Sequence, residues 1–209
     1  IVPDALKALQ QFAALNRQKF EGTVIALTGS NGKTSTKEMI AHLLEAKWSV
    51  HKTTGNLNNH IGCPLTLLQL TNQFDFAVVE LGTNHPGEIE TLAKLTKPDA
   101  ALITNIGPAH LEYFKTLEAV AQEKMSLFDQ LAAGQVAFVN GGDPFLKNFK
   151  RNDLEIVTFG LSQSVDVQAK IVEVDENGNF TFTLNDKVSI KLQVPGQHNV
   201  ANALAASAV

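Results

Sequence analysis

In the stretch Val24-Ile-Ala-Leu-Thr-Gly-Ser-Asn-Gly-Lys-Thr-Ser35 an apolar run leads straight into a glycine loop ending Gly32-Lys33-Thr34. The two glycines free backbone N–H groups to curl around an anion, Lys33 brings a cation on a long stem, and Thr34 offers a hydroxyl to a hard metal ion. Such a loop holds the phosphates of a nucleoside triphosphate, here ATP with magnesium. The residues expected at the nucleotide are Thr28, Gly29, Ser30, Asn31, Gly32, Lys33, Thr34 and Ser35. Leu27 stands where the general pattern has a glycine, so the strand-loop-helix setting must carry the reading. An ordinary turn before a helix is the plain alternative.

Phe76-Ala-Val-Val-Glu80-Leu-Gly82 is an apolar strand ending on one acid, where a carboxylate would lie beside the magnesium of a phosphate loop. Glu80 is therefore the first candidate metal ligand, against the plain reading of a solvated acid. Ala101-Leu-Ile-Thr-Asn-Ile-Gly-Pro-Ala-His110 brings His110 to the same sheet edge, although a loop histidine also serves for capping or packing. Lys124 looks by pattern like a surface lysine; an ammonium cannot ligate a metal, so a metal role would require its modification to an anion. The run Thr53-Thr-Gly-Asn-Leu-Asn-Asn-His-Ile-Gly-Cys-Pro64 concentrates Thr54, Asn56, Asn58 and Asn59, which either grip phosphate and sugar oxygens or build turns. Cys63 has no neighbouring base and reads as a small buried apolar residue.

Apolar runs recur near 24–28, 48–52, 76–81, 100–105, 136–140 and 155–159, with helical patterns at 33–47, 87–96 and 116–132 between several of them. This alternation predicts an α/β fold with a mostly parallel sheet flanked by helices, its ligands beyond the carboxyl ends of the strands. Met39, Ile40, Leu43 and Leu44 predict the apolar face of the helix after the loop. Leu6, Leu9, Phe12 and Ala13 predict a lead-in helix packed on the core. The organisation expected is a lead-in helix over 1–20, a parallel core over 21–163, antiparallel hairpins over 164–195 with turns at Asn177-Gly178 and Asn185-Asp186, and a helix starting in 196–209.

The chain has 209 residues, 44% apolar and 18% charged, enough for one substantial core, and its net charge of −4 argues against nucleic acid as the main partner. One cysteine excludes an internal disulfide and fits a reducing compartment, and no run is long enough to span a membrane, so a cytoplasmic location is expected. Both ends look cut, as in a segment of something longer.

Taken in order, the loop Thr28-Gly-Ser-Asn-Gly-Lys-Thr34, Glu80-Leu-Gly, Thr104-Asn-Ile-Gly-Pro-Ala-His110-Leu and Pro195-Gly-Gln-His198-Asn199-Val-Ala-Asn202 resemble the central ATP-binding domain of the Mur ligases over nearly the whole chain. Gly55-Asn-Leu-Asn-Asn-His-Ile-Gly-Cys-Pro64 and Glu80-Leu-Gly-Thr-Asn-His-Pro-Gly-Glu-Ile89 look most like the member that adds D-alanyl-D-alanine to UDP-N-acetylmuramoyl-tripeptide in peptidoglycan synthesis. The resemblance implies an ATP-dependent, monomeric amide ligase working through an acyl phosphate. Two magnesium ions would be held by Thr34, Glu80, His110 and a carbamylated Lys124, and adenine would lie against His198, Asn199 and Asn202. The loop bearing Asn56 to Asn59 would face the sugar-peptide. It also implies a UDP-binding domain before this segment and a nucleotide-contacting one after it. Neither is in this sequence, so weak ATP binding and negligible ligation are expected of the segment alone.

Two departures stand out: most relatives have Asp-His where this chain has Ala109-His110, and an acidic pair near Gly141-Gly142-Asp143, to which no role is assigned. The rivals within enzymes are another Mur ligase and folylpolyglutamate synthetase. From other classes come a nucleotide-dependent switch, whose usual guanine-reading Asn-Lys-x-Asp is missing, and a bare ATP-binding module.

Overall fold

The computed structural model describes residues 1–162 and 164–209. Six parallel strands form its centre: β1 (Thr23–Thr28), β2 (Val50–Lys52), β3 (Phe76–Glu80), β4 (Ala100–Ile103), β5 (Val136–Asn140) and β6 (Glu155–Gly160), in the order β2-β3-β1-β4-β5-β6. β1 is buried from Val24 to Thr28, the mark of a strand covered on both faces. Its alternate side chains serve separate cores. Val24 and Ala26 pack with Val79, Leu92 and Phe128, whereas Ile25 and Leu27 pack with Val78, Leu102 and Ile40. On the first face lie α1 (Ala5–Lys19), α3 (Gly62–Leu68), α4 (Glu88–Thr96) and α6 (Leu117–Asp129). On the second lie α2 (Lys33–Leu44) and α7 (Gln197–Ala208). A single-turn helix, α5 (Leu111–Phe114), precedes α6.

The chain runs outward from β1 to β2, returns through β3, then crosses β1 to continue at β4, so the strand order reverses beside β1. At such a reversal the loops leaving adjacent strands diverge and open a crevice. The antiparallel strands β7 (Val167–Val174), β8 (Asn179–Leu184) and β9 (Val188–Pro195) follow as expected, and they extend the same sheet. β7 pairs parallel with β6 through Phe159↔Val167 and Gly160↔Gln168. Gln163, the expected end of the parallel core, lies outside the described residues. Asn185 and Asp186 both take positive φ, 48° and 54°, as a two-residue turn matched to strand twist requires.

Two expected faces need correction. On α1, Leu6 and Phe12 are exposed and the core side is formed by Ala13 and Arg17. On α2, Leu43 points to solvent and Lys37 is completely buried in its stead. Both departures have one cause: a polar side chain with several partners waiting in the fold outweighs the apolar stripe. The Arg17 guanidinium donates to Thr96 O at 2.8 Å, Lys97 O at 2.8 Å and Asp99 Oδ2 at 3.0 Å, so one cation ties α1 to the end of α4 and to the start of β4. Arg17→Ala strands those buried carbonyls and is expected to cost about 2–4 kcal/mol in urea denaturation. A loss under about 1 kcal/mol would mean that water satisfies them instead.

Candidate active site

The glycine loop turns on two positions that only glycine fits. Gly32 has φ 78°, and a Cβ there would stand 2.1 Å from Asn202 Oδ1; at Gly29 a Cβ would stand 1.9 Å from Thr104 Oγ1. Neighbouring loops hold it in place. Ser30 N donates to Asn105 O at 3.0 Å, Asn31 N to Asn105 Oδ1 at 3.1 Å, and Thr104 Oγ1 to Asn31 O at 2.7 Å. The open N-terminus of α2 therefore follows a loop already bent around an anion site. Lys33 Nζ folds back to donate to Gly29 O at 2.9 Å; burial pushes its ammonium toward neutrality and the Glu80 charge opposes this. Thr28 is fully buried and donates to Leu81 O, so its side chain braces strands. Ser35 is exposed on the first turn of α2.

Strand register puts Glu80 opposite Leu27, one residue short of the end of β1. The carboxylate is 1% exposed, accepts from Thr34 Oγ1 at 3.0 Å and from Asn58 Nδ2 at 2.8 Å, and its own N–H donates to Thr53 Oγ1 at 2.9 Å. A hydroxyl and a buried carboxylate under a phosphate loop form the oxygen donor set that suits magnesium. Among the described residues no three His, Cys, Asp or Glu side chains converge on a metal-ligand cluster.

Lys124 overturns its plain reading. It is 3% exposed with no hydrogen-bond acceptor among the described residues, and burial first, then the charge of Lys33, push its amine down to about 8 against the pull of Glu123. It thus belongs to the electrostatic surroundings of the phosphate loop. His110 is not joined to the Thr34–Glu80 pair by any hydrogen bond: it heads α5 with φ 50°, exposed to solvent.

The amide-rich loop divides. Thr54 and Asn56 are exposed, Asn58 is spent on Glu80, and Asn59 Oδ1 accepts from Ile61 N and Gly62 N at the head of α3, the turn-building role. At α7, His198 is exposed, Asn199 Nδ2 donates to Pro195 O at 2.8 Å, and Asn202 lies buried against Gly32 and Thr36. Beside them a cavity of about 360 Å³ lined by Asn105, Asn140, Phe159, Leu161 and Leu204 could take the nucleoside end. Cys63 is fully buried near Thr96, its thiol pushed up to about 11 by burial, as an inert apolar residue should be.

Three supporting residues escaped the sequence reading. Asp143 accepts from Ile106 N at 2.7 Å and Phe145 N at 2.9 Å, locking the loop after β4; the Gly-Gly-Asp following a strand was its available signal. Glu123 accepts from Gly87 N at 2.7 Å and Ile89 N at 2.8 Å, capping α4. Lys37 carried no local signal at all.

The middle domain of the Mur ligases matches residues 27–209. The chain belongs to the Mur ligase family. A UDP-N-acetylmuramoyl-tripeptide--D-alanyl-D-alanine ligase of Escherichia coli is 42% identical over 214 residues, covering all of this chain and 47% of that protein. A MurF crystal structure from Acinetobacter baumannii superposes with a TM-score of 0.92 at 37% identity over all of this chain and 47% of that one. MurF from Thermotoga maritima, solved in complex with ADP, superposes with a TM-score of 0.87 at 30% identity over 99% of this chain and 49% of that one. This Mur ligase chain thus spans about half the length of the relatives it matches. Among its described residues no helix is long and apolar enough to cross a membrane.

Lys124 gives this Mur ligase domain a pH signature. Between about pH 8 and 10.5 the unfolded chain keeps a proton that the folded one has lost, so this group makes stability rise with pH across that window. Below it the buried ammonium costs roughly 3 kcal/mol. In CO2-free buffer, Lys124→Met is expected to be the more stable form at pH 7, with the gap to wild type closing toward pH 10.5 in parallel denaturant titrations. A gap that does not change with pH would show that the ammonium is solvated.

Proposed function

We propose that this chain is the ATP-binding domain of a ligase that adds D-alanyl-D-alanine to UDP-N-acetylmuramoyl-tripeptide. ATP phosphorylates the substrate carboxylate, the amine of the dipeptide attacks the acyl phosphate, and phosphate leaves with a new amide bond in place. The observation that carries the reading is the Thr34–Glu80 pair, 3.0 Å apart beneath the glycine loop. The names of the relatives supply the substrates, and the ADP complex of one of them supports the nucleotide.

Each residue has work suited to its chemistry. Lys33 exchanges Gly29 O for phosphate oxygens and offsets charge as the phosphoryl group transfers. Thr34, Glu80 and His110 would hold magnesium, which neutralises phosphate charge and aligns the transferring group. A lowered pKa leaves roughly a tenth of Lys124 neutral at pH 7, and the free amine pair can attack CO2 to form a carbamate with release of a proton. That anion would supply the second metal position. Thr54 and Asn56 are placed to meet the sugar-peptide, and His198, Asn199 and Asn202 the adenine. The setting is a cytoplasmic monomer.

Phosphate release by the full-length protein, supplied with ATP, magnesium and UDP-muramoyl-tripeptide, is expected only with D-alanyl-D-alanine. Release with single amino acids would change the family member, release with folate plus glutamate would point to folylpolyglutamate synthesis, and hydrolysis indifferent to the acceptor would favour a switch or a bare module. Lys33→Ala should cut the rate by at least about 100-fold. Lys124→Ala should lose activity that short carboxylic acids partly restore; full activity without them would return Lys124 to a packing role.

A further inference from the structure

The least expected side chain in the interior is Lys37. It lies one turn after Lys33 on α2, and its side chain is completely buried. Its ammonium donates to Thr53 O at 2.6 Å and more weakly to Gly55 O at 3.4 Å, lies 3.0 Å from Glu38 Oε1, and stands 3.9 Å from Glu80 Oε2. Glu38 is itself anchored to β2 by Lys52 Nζ at 2.7 Å. A buried cation of this kind is tolerated only where its donors are matched, and here the partners come from the loop after β2 and from helix α2.

These contacts close a circuit. Thr53, whose carbonyl Lys37 holds, receives the N–H of Glu80 on its hydroxyl at 2.9 Å. Asn58, at the other end of the same loop, donates to the Glu80 carboxylate at 2.8 Å and accepts from Gly82 N at 2.8 Å. A Cβ at Gly82 would stand 2.7 Å from Asn58 Oδ1, so any larger residue there would push the Asn58 side chain out of its place against Glu80. Thr34, the remaining partner of Glu80, sits on α2 with Lys37. The loop over 53–58 is therefore clamped to Glu80 at both ends, and Lys37 fastens the clamp to the helix of the phosphate loop.

We propose that Lys37 is a positioning residue, which touches no phosphate but fixes the Glu80 carboxylate for the metal and fastens the amide-rich loop to it, so that both substrate sites share one rigid mount. The inference rests on Glu80 being a magnesium ligand, as argued above.

The test is Lys37→Met in the full-length protein, which keeps the length of the stem and removes the charge. By calorimetry with a non-hydrolysable ATP analogue, affinity without magnesium should stay within about twofold of wild type. The tightening produced by magnesium should fall by about tenfold or more, the scale seen when outer partners of metal ligands are removed. Hydrogen exchange should quicken at the Glu80 and Gly82 amides, which bond to Thr53 and Asn58, while the amide of Val79 inside β3 stays protected. Equal loss of affinity with and without magnesium would overturn the proposal in favour of direct phosphate binding. An intact magnesium response, with exchange raised evenly along β3, would reduce Lys37 to general packing. Should Lys37→Met not fold, Thr53→Val keeps the shape and the carbonyl but deletes the acceptor for Glu80 N; an unchanged magnesium response there overturns the proposal equally. A wild-type protein whose nucleotide binding ignores magnesium would instead refute Glu80 as a metal ligand, and this inference with it.

Discussion

A carboxylate taken out of water at the end of β3 is the constraint around which this domain is arranged. An isolated buried anion costs several kcal/mol, so Glu80 can exist only where hydrogen-bond donors and positive charge surround it. Thr34 and the more distant Lys37 from helix α2, and Asn58 from the loop after β2, meet that need. A magnesium ion beneath the phosphates would complete it. The register of β3 on β1 is accordingly not free to slip: a shift of one residue would turn Glu80 into the opposite core and put Val79 under the loop.

Rigidity at the phosphate loop comes from the same economy of polar groups. The loops after β1, β4 and β5 exchange hydrogen bonds in sequence: Asn31 with Thr104 and Asn105, Thr104 O with Asn140 Nδ2 at 2.8 Å, Ile106 N with Asp143. None of these bonds requires a ligand. A loop built this way already has its amides aimed, so binding demands little ordering and the dipoles need not reorganise as charge moves. Lys33 is the element left free to change partner, since its bond to Gly29 O can be exchanged for a phosphate oxygen without disturbing the rest.

How much of this was legible in the sequence follows the range of each interaction. The six parallel strands, the glycine loop and Glu80 were readable because an apolar run, a pair of glycines and an acid at a strand end are local patterns. The antiparallel strands were also readable, but not that they continue the same sheet, which depends on pairing between β6 and β7. Arg17, Lys37 and Glu123 were illegible because each is defined by partners far along the chain: Arg17 by carbonyls about eighty residues away, Lys37 by the loop after β2. The apolar stripes of α1 and α2 misled for the same reason. Asn58 and Asn59, neighbours of one residue type, ended with different duties, one on Glu80 and one at the head of α3, and only three-dimensional context separates them.

The two lysines at the site pose a question of charge that burial alone does not resolve. Lys33 and Lys124 repel, and that repulsion is part of why the Lys124 amine loses its proton so readily. At a position this buried the usual answer would be an uncharged residue such as Met or Leu. A lysine kept there carries a standing cost, and the cost has a use only if the neutral amine does something an alkyl chain cannot. Nucleophilic addition to CO2 is such a use. Under the proposed function it would convert a cation that disfavours Lys33 into an anion that favours it, and the same burial that lowers the amine's proton affinity would shelter the carbamate from acid. Under the proposed function the lowered pKa and the proximity of Lys33 would be two halves of one device, in which an unfavourable charge contact favours formation of the group that reverses it.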